Sequence, residues 1–186
     1  MTSFDKLDTV QFQTKMKPAA LRIYQGLFPG CTILDLRERG AKVHILDKEF
    51  GIDSLLTTRR GQWFSIQEKY RRNNALHYLD FTQEYMNGCG TPGESPGEWF
   101  KLGAQLYFYG WANATESDFE KWAILDVARY KLLVEQHGGL EKIGSYQVNQ
   151  HHGRASFFAI PIRILESVFV ADYRHPQMLR RATRDL

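Results

Sequence analysis

Little in this chain points to a membrane, to secretion or to a bound soft metal. Its two cysteines, Cys31 and Cys89, stand far apart without a CxxC partner, so neither a zinc knuckle nor a disulfide framework is encoded. No run of about 18 apolar residues exists, and Met1 to Lys6 lack the basic-then-apolar profile of a signal peptide. A soluble, cytoplasmic protein with no membrane contact is the expectation. Nucleotide-fold and acyl-transfer signatures are missing too: there is no GxxxxGK[ST], no GxGxxG and no GxSxG. An excess of one charge is also lacking. The formal net charge is +3, and Arg174, Arg180, Arg181 and Arg184 against Asp185 account for all of it. The other 173 residues are balanced, so any case for an anionic partner must be local.

What is present suits one globular domain. The 186 residues are 43% hydrophobic and 13% aromatic, which argues against a disordered or collagen-like chain. The expected division is a single domain over 1–173 followed by a basic tail over 174–186. Residues 87–97 hold four glycines and two prolines and read as a long turn inside that domain.

Apolar spacings of three and four from Phe12 to Leu27 predict a helix, broken or starting late near Pro18. Val43 to Leu46 and Ile52 to Leu56 read as two short strands around a turn. Trp63 to Arg71 alternates with period two and predicts a strand, as do Leu79 to Met86, Gln105 to Trp111 and Trp122 to Val127. A short helix is expected from Glu98 and a longer one over 126–136, ended by Gly138-Gly139. Helix, then strands, then a mixed second half predicts an α+β domain.

The informative stretch runs from Asp47 to Arg72. Asp53 is a carboxylate flanked by Ile52, Leu55 and Leu56, where an unpaired charge is costly, so it needs a partner or a metal. On the following strand, period two puts Ser65, Gln67, Lys69 and Arg71 on one face and Phe64, Ile66, Glu68 and Tyr70 on the other. Gln67 and Lys69 can therefore converge with Asp53. The plain alternative is a cross-strand ion pair between Asp53 and Lys69 on a solvated face, with Gln67 a bystander.

Gly51-Ile52-Asp53 followed by Ile66-Gln67-Glu68-Lys69 resembles the PD-(D/E)XK nuclease superfamily, with glutamine in the second acidic position. Gly97 to Lys101 and Leu106 to Tyr109 also resemble the helix and strand that follow the site in some phage and bacterial members. The resemblance spans roughly residues 10 to 135. It implies a restriction-endonuclease-like core, a mixed central β-sheet flanked by helices, and cleavage of DNA, with RNA open as a substrate. It also implies Mg2+ or Mn2+ on Asp53 and Gln67, with Asp53, Gln67 and Lys69 as the catalytic set. Magnesium takes hard oxygen ligands, which a carboxylate and a side-chain amide oxygen can supply. Lys69 would hold the attacking water and offset charge on the phosphate. Many members work as dimers to cut two strands, so a homodimer is a further implication.

Replacing an acid by Gln67 removes one negative charge, so another carboxylate should contribute. Asp47, Glu84 and Glu38 are candidates by position, and Glu68 is one if a bulge at Gln67 reverses its facing. Arg59, Arg60, Arg71 and Arg72, with only Glu68 among them, would track the nucleic-acid backbone. His151 and His152 have no third ligand at clear spacing and read as surface residues. Tyr107, Tyr109, Trp111 and Trp122 read as core packing before base stacking.

Overall fold

A computed structural model of the chain describes residues 3–36, 44–149 and 154–176. It opens with a 25-residue helix, α1 (Ser3–Leu27). Strand β1 (Thr32–Asp35), helix α2 (His44–Phe50), β2 (Ser54–Thr57) and the nine-residue β3 (Trp63–Arg71) follow. A 3-10 turn (Asn73–Tyr78) leads into β4 (Asp80–Asn87), the two-residue β5 (Ser95–Pro96) and α3 (Glu98–Lys101). Then come β6 (Leu106–Ala112), β7 (Phe119–Asp126), α4 (Val127–Gln136), α5 (Leu140–Ile143) and β8 (Ser145–Val148). The chain closes with β9 (Ser156–Pro161), α6 (Ile162–Leu165), a second 3-10 turn (Glu166–Val168) and β10 (Phe169–Asp172).

The class is α+β, built on a mixed central sheet of order β1-β2-β3-β6-β7-β10. Its neighbours pair antiparallel except β3 and β6, which run parallel from Ile66↔Leu106 to Arg71↔Trp111. A parallel pair needs a crossover, and the chain between them uses it to build β4, β5 and α3. Strands β5-β4-β9-β8 form a second, antiparallel sheet.

Period two along β6 sets the layers. Leu106, Phe108 and Ala112 face a core shared with Phe12, Met16, Ala20 and Tyr24 of α1. Tyr107, Tyr109 and Trp111 face the other way, into a core with Phe81 of β4, Tyr130 of α4, and Phe158 and Ile160 of β9. Covered on both sides, β6 is buried at every position, and its aromatic rings pack the interior as expected. Among the described residues no helix is long and apolar enough to cross a membrane.

Two expectations fail locally. Pro18 does not interrupt α1: it sits on the exposed side, while Met16, Ala19 and Ala20 around it are buried, so packing outweighs one missing N–H. The expected strand over Val43 to Leu46 is instead the start of α2 from residue 44, with Val43 outside the described residues. Gly51, in the left-handed region at φ 55°, ends that helix by donating its N–H to the Asp47 carbonyl at 3.0 Å. A run of two apolar residues cannot by itself tell helix from strand, and here the glycine stop decided.

Candidate functional site

Strands β2 and β3 pair from Thr57↔Trp63 to Ser54↔Ile66, and Asp53 stands one step beyond this ladder, opposite Gln67. The backbone holds it firmly. Its N–H donates to the Ile66 carbonyl at 2.9 Å, its own carbonyl accepts from Leu36 N–H at 2.9 Å, and its Oδ2 accepts from Glu68 N–H at 2.7 Å. The carboxylate thus takes over the acceptor role that a longer β2 would have filled. Asp53 is buried, at 4% exposure.

From there Gln67, Lys69 and Arg71 run along one face of β3, toward the second sheet. Gln67 Nε2 donates to Glu98 Oε2 at 3.4 Å. The other oxygen of Glu98 accepts from the Tyr107 hydroxyl at 2.5 Å and from Gln83 Nε2 at 2.9 Å. Burial and the neighbouring Glu98 carboxylate push the Tyr107 phenol well above its ordinary range, so it stays a neutral donor. The amide oxygens of Gln67 and Gln83 are buried and have no partner among the described residues. A Cβ at Gly51 would lie 3.3 Å from Gln67 Oε1, so glycine is what lets the chain run past that oxygen. Lys69 Nζ donates to the Thr82 carbonyl at 3.1 Å, and Arg71 donates to Thr82 Oγ1 at 2.5 Å and to the Tyr109 hydroxyl at 3.3 Å.

The opposite face carries a second polar cluster. The pairing of β3 with both neighbours has no register shift, so no bulge brings Glu68 round, and its side chain points at α1. There Lys17 Nζ lies 2.6 Å from Glu68 Oε2, 3.1 Å from Asp35 Oδ2 and 2.6 Å from Ser54 Oγ. The Tyr24 hydroxyl donates to Glu68 Oε1 at 2.9 Å, and burial followed by the Glu68 charge raises its pKa well above normal.

Asp53 and Gln67 are therefore side by side, with Lys69 next along the same face and Glu68 behind it. Asp47 lies on α2 and Glu84 on β4, both half-buried, and Glu38 falls outside the described residues. Among the described residues no three His, Cys, Asp or Glu side chains are gathered as a metal site.

The four arginines do not form one surface. Arg59 and Arg60 sit in the β2–β3 turn, while Arg71 and Arg72 are at the far end of a nine-residue strand, roughly 25–30 Å away. Arg71 turns inward to Thr82. Arg72 turns to the α1 side, where it donates to Glu116 at 2.7 Å and Asp8 at 2.8 Å and covers the Phe12 ring. Arg174, where the basic tail was expected to begin, is held by Asp172 and Glu166. Residues 177–186 and the pair His151 and His152 are outside the described residues.

Sequence reasoning missed Glu98, Gln83, Lys17 and Asp35 as members of these clusters. Lys17 left a signal: it falls within the apolar stripe of Met16, Ala20 and Tyr24, and a cation there calls for a buried carboxylate. Glu98 left none, because its partners come from β3, β4 and β6.

Set against protein-family models, curated proteins and solved structures, the chain has no match.

Proposed function

We propose that this chain is a metal-dependent nuclease of the PD-(D/E)XK type, with a restriction-endonuclease-like core, hydrolysing DNA phosphodiester bonds. The observation that carries the reading is that Asp53, one step beyond β2, falls opposite Gln67 of β3 when the ladder register is extended, and that Gln67 Oε1 is buried without a partner among the described residues. A carboxylate beside an unsatisfied amide oxygen is a donor set of the hard kind that Mg2+ or Mn2+ takes, and an orphaned buried oxygen is otherwise costly. Asp53 and Gln67 would hold the ion, which when bound supplies Lewis-acid stabilisation of the phosphate and a more acidic water. Lys69 contributes positive charge two residues further along the face, with its ammonium oriented by the Thr82 carbonyl. It places the attacking water and offsets charge developing on the phosphate oxygens.

A second reading, a nucleic-acid-binding or scaffold domain with impaired catalysis, is favoured by Glu98. That carboxylate is the one in contact with Gln67, and it is already committed to Tyr107 and Gln83. Its Oε1 is therefore closed to a cation unless those bonds rearrange, and its Oε2 faces the amide nitrogen of Gln67, not the amide oxygen.

The test incubates the protein with plasmid, single-stranded and branched DNA in Mg2+ or Mn2+, alongside Asp53→Asn and Lys69→Ala. Cutting that both substitutions abolish supports the nuclease. Binding without cutting, unchanged by either, supports the second reading, and no salt-sensitive binding at all defeats both.

A further inference from the structure

Glu98 is a buried carboxylate carried by α3. The segment before it is pinned to β4, where Gly97 N–H donates to the Tyr85 carbonyl at 2.7 Å. Three side-chain donors meet the carboxylate. The Tyr107 hydroxyl and Gln83 Nε2 both donate to Oε1, at 2.5 and 2.9 Å, and Gln67 Nε2 reaches Oε2 at 3.4 Å. Among the described residues Oε1 thus has two donors, while Oε2 has Gln67 alone.

A carboxylate only accepts, whereas a primary amide has an acceptor on one side and two donors on the other. The two ends of an amide have nearly the same shape, so packing by itself does not choose between them. Charge does. Turned over, either glutamine would set its oxygen against a carboxylate oxygen, at 3.4 Å for Gln67 and 2.9 Å for Gln83, among side chains too buried for water to screen the repulsion. Both NH2 groups therefore face Glu98. Both amide oxygens face away from it, buried and without a partner among the described residues. In Gln67 that oxygen is the one beside the Gly51 bend.

We propose that Glu98 is a positioning residue for the cation site: it is not a ligand, and it fixes the Gln67 amide so that Oε1 and not the NH2 group is offered to Mg2+ or Mn2+. An acid presents oxygen whichever way it is turned. A glutamine in its place needs a neighbour that sets its orientation, and an acceptor on the NH2 side does so. The inference rests on the reading of Gln67 as a cation ligand, and it supplies the reason a neutral amide can serve there. It gives Glu98→Gln a defined consequence. Two donors against one keep the new amide oxygen on the side of Tyr107 and Gln83, so the new NH2 group faces Gln67. Gln67 then turns over to accept from it, and its own NH2 group, no ligand for a hard cation, takes the place of Oε1.

Titration calorimetry of the full chain with Mn2+, alongside melting temperatures in chelator, tests this. Glu98→Gln should stay folded and bind Mn2+ about 10–100-fold more weakly than the wild type, the usual effect of losing an outer contact to a ligand. In the Gln67→Glu background the same substitution should change affinity by no more than about twofold, because the acid at position 67 can accept from the new amide with one oxygen and offer the ion the other. A purely structural role for Glu98 would weaken binding equally in both backgrounds. Unchanged affinity in Glu98→Gln, or an equal loss in both backgrounds, overturns the inference and leaves the nuclease reading standing. Should Glu98→Gln alone not fold, a loss of about tenfold or more in the Gln67→Glu background overturns the inference, and affinity held within about twofold supports it. No Mn2+ binding by the wild type at millimolar concentration defeats the cation site and the inference together.

Discussion

Replacing Lys17 by methionine should be among the most damaging single changes available in this protein. The Glu68 side chain is fully buried, and its Oε2 lies 2.6 Å from Lys17 Nζ. At an effective dielectric of about 20, two unit charges at that separation attract by about 6 kcal/mol, which is largely offset by the cost of taking both out of water. Methionine keeps the apolar stem but strands the carboxylate, and breaking a buried pair from one side costs about 3–5 kcal/mol. The Tyr24 hydroxyl continues to donate to Glu68, which places the expected loss near the lower bound, about 3 kcal/mol. For a chain of this length that is a fall in melting temperature of about 6–12 °C. Urea titrations of the wild type, Lys17→Met, Glu68→Gln and the double variant measure the coupling directly. The double variant should regain part of the stability lost in Lys17→Met, because the fully buried Glu68 charge is then gone and only the Lys17–Asp35 contact at 3.1 Å stays lost. A loss below about 1 kcal/mol in Lys17→Met, or a double variant no more stable than it, would refute the reasoning.

Other outcomes follow from single contacts. Gly97→Ala should destabilise the fold by about 1–3 kcal/mol, since its Cβ would stand 2.8 Å from the Tyr85 carbonyl on β4 and push away the segment that delivers Glu98; denaturant melts measure this. Asp172 is partly desolvated, which raises its pKa, but the Arg174 guanidinium and the backbone N–H groups of Arg174 and His175 outweigh that and hold it below the usual value. A lowered folded-state pKa means stability present above about pH 4 and lost as pH falls further, so Asp172→Asn should flatten the acid limb of a stability-against-pH curve. Gln67→Glu adds a carboxylate against Glu98 and should lower the melting temperature in chelator; under the nuclease reading, millimolar Mn2+ should restore several degrees to this variant, as scanning fluorimetry would register.

The sequence on its own determined the strand from Trp63 to Arg71, the split of its side chains between two faces, the buried demand at Asp53 and the helix over 126–136 with its glycine stop. These are legible because period-two alternation, a charge among apolar neighbours and a glycine terminator are local signals. It could not tell that His44–Phe50 would coil, since an isolated apolar pair suits either backbone, nor that Pro18 would be carried inside a helix by the packing around it. Only the tertiary structure decided that β6 lies parallel to β3 and that Glu98, Gln83 and Tyr107 meet Gln67 on one face while Lys17 and Asp35 meet Glu68 on the other. Those partners are separated by tens of residues, and what joins them is the layering of one helix and a second sheet on a strand covered on both sides. Buried there, most of these polar groups find their counterparts across the layers, because water can no longer serve, and the amide oxygens of Gln67 and Gln83 stand out as the exceptions.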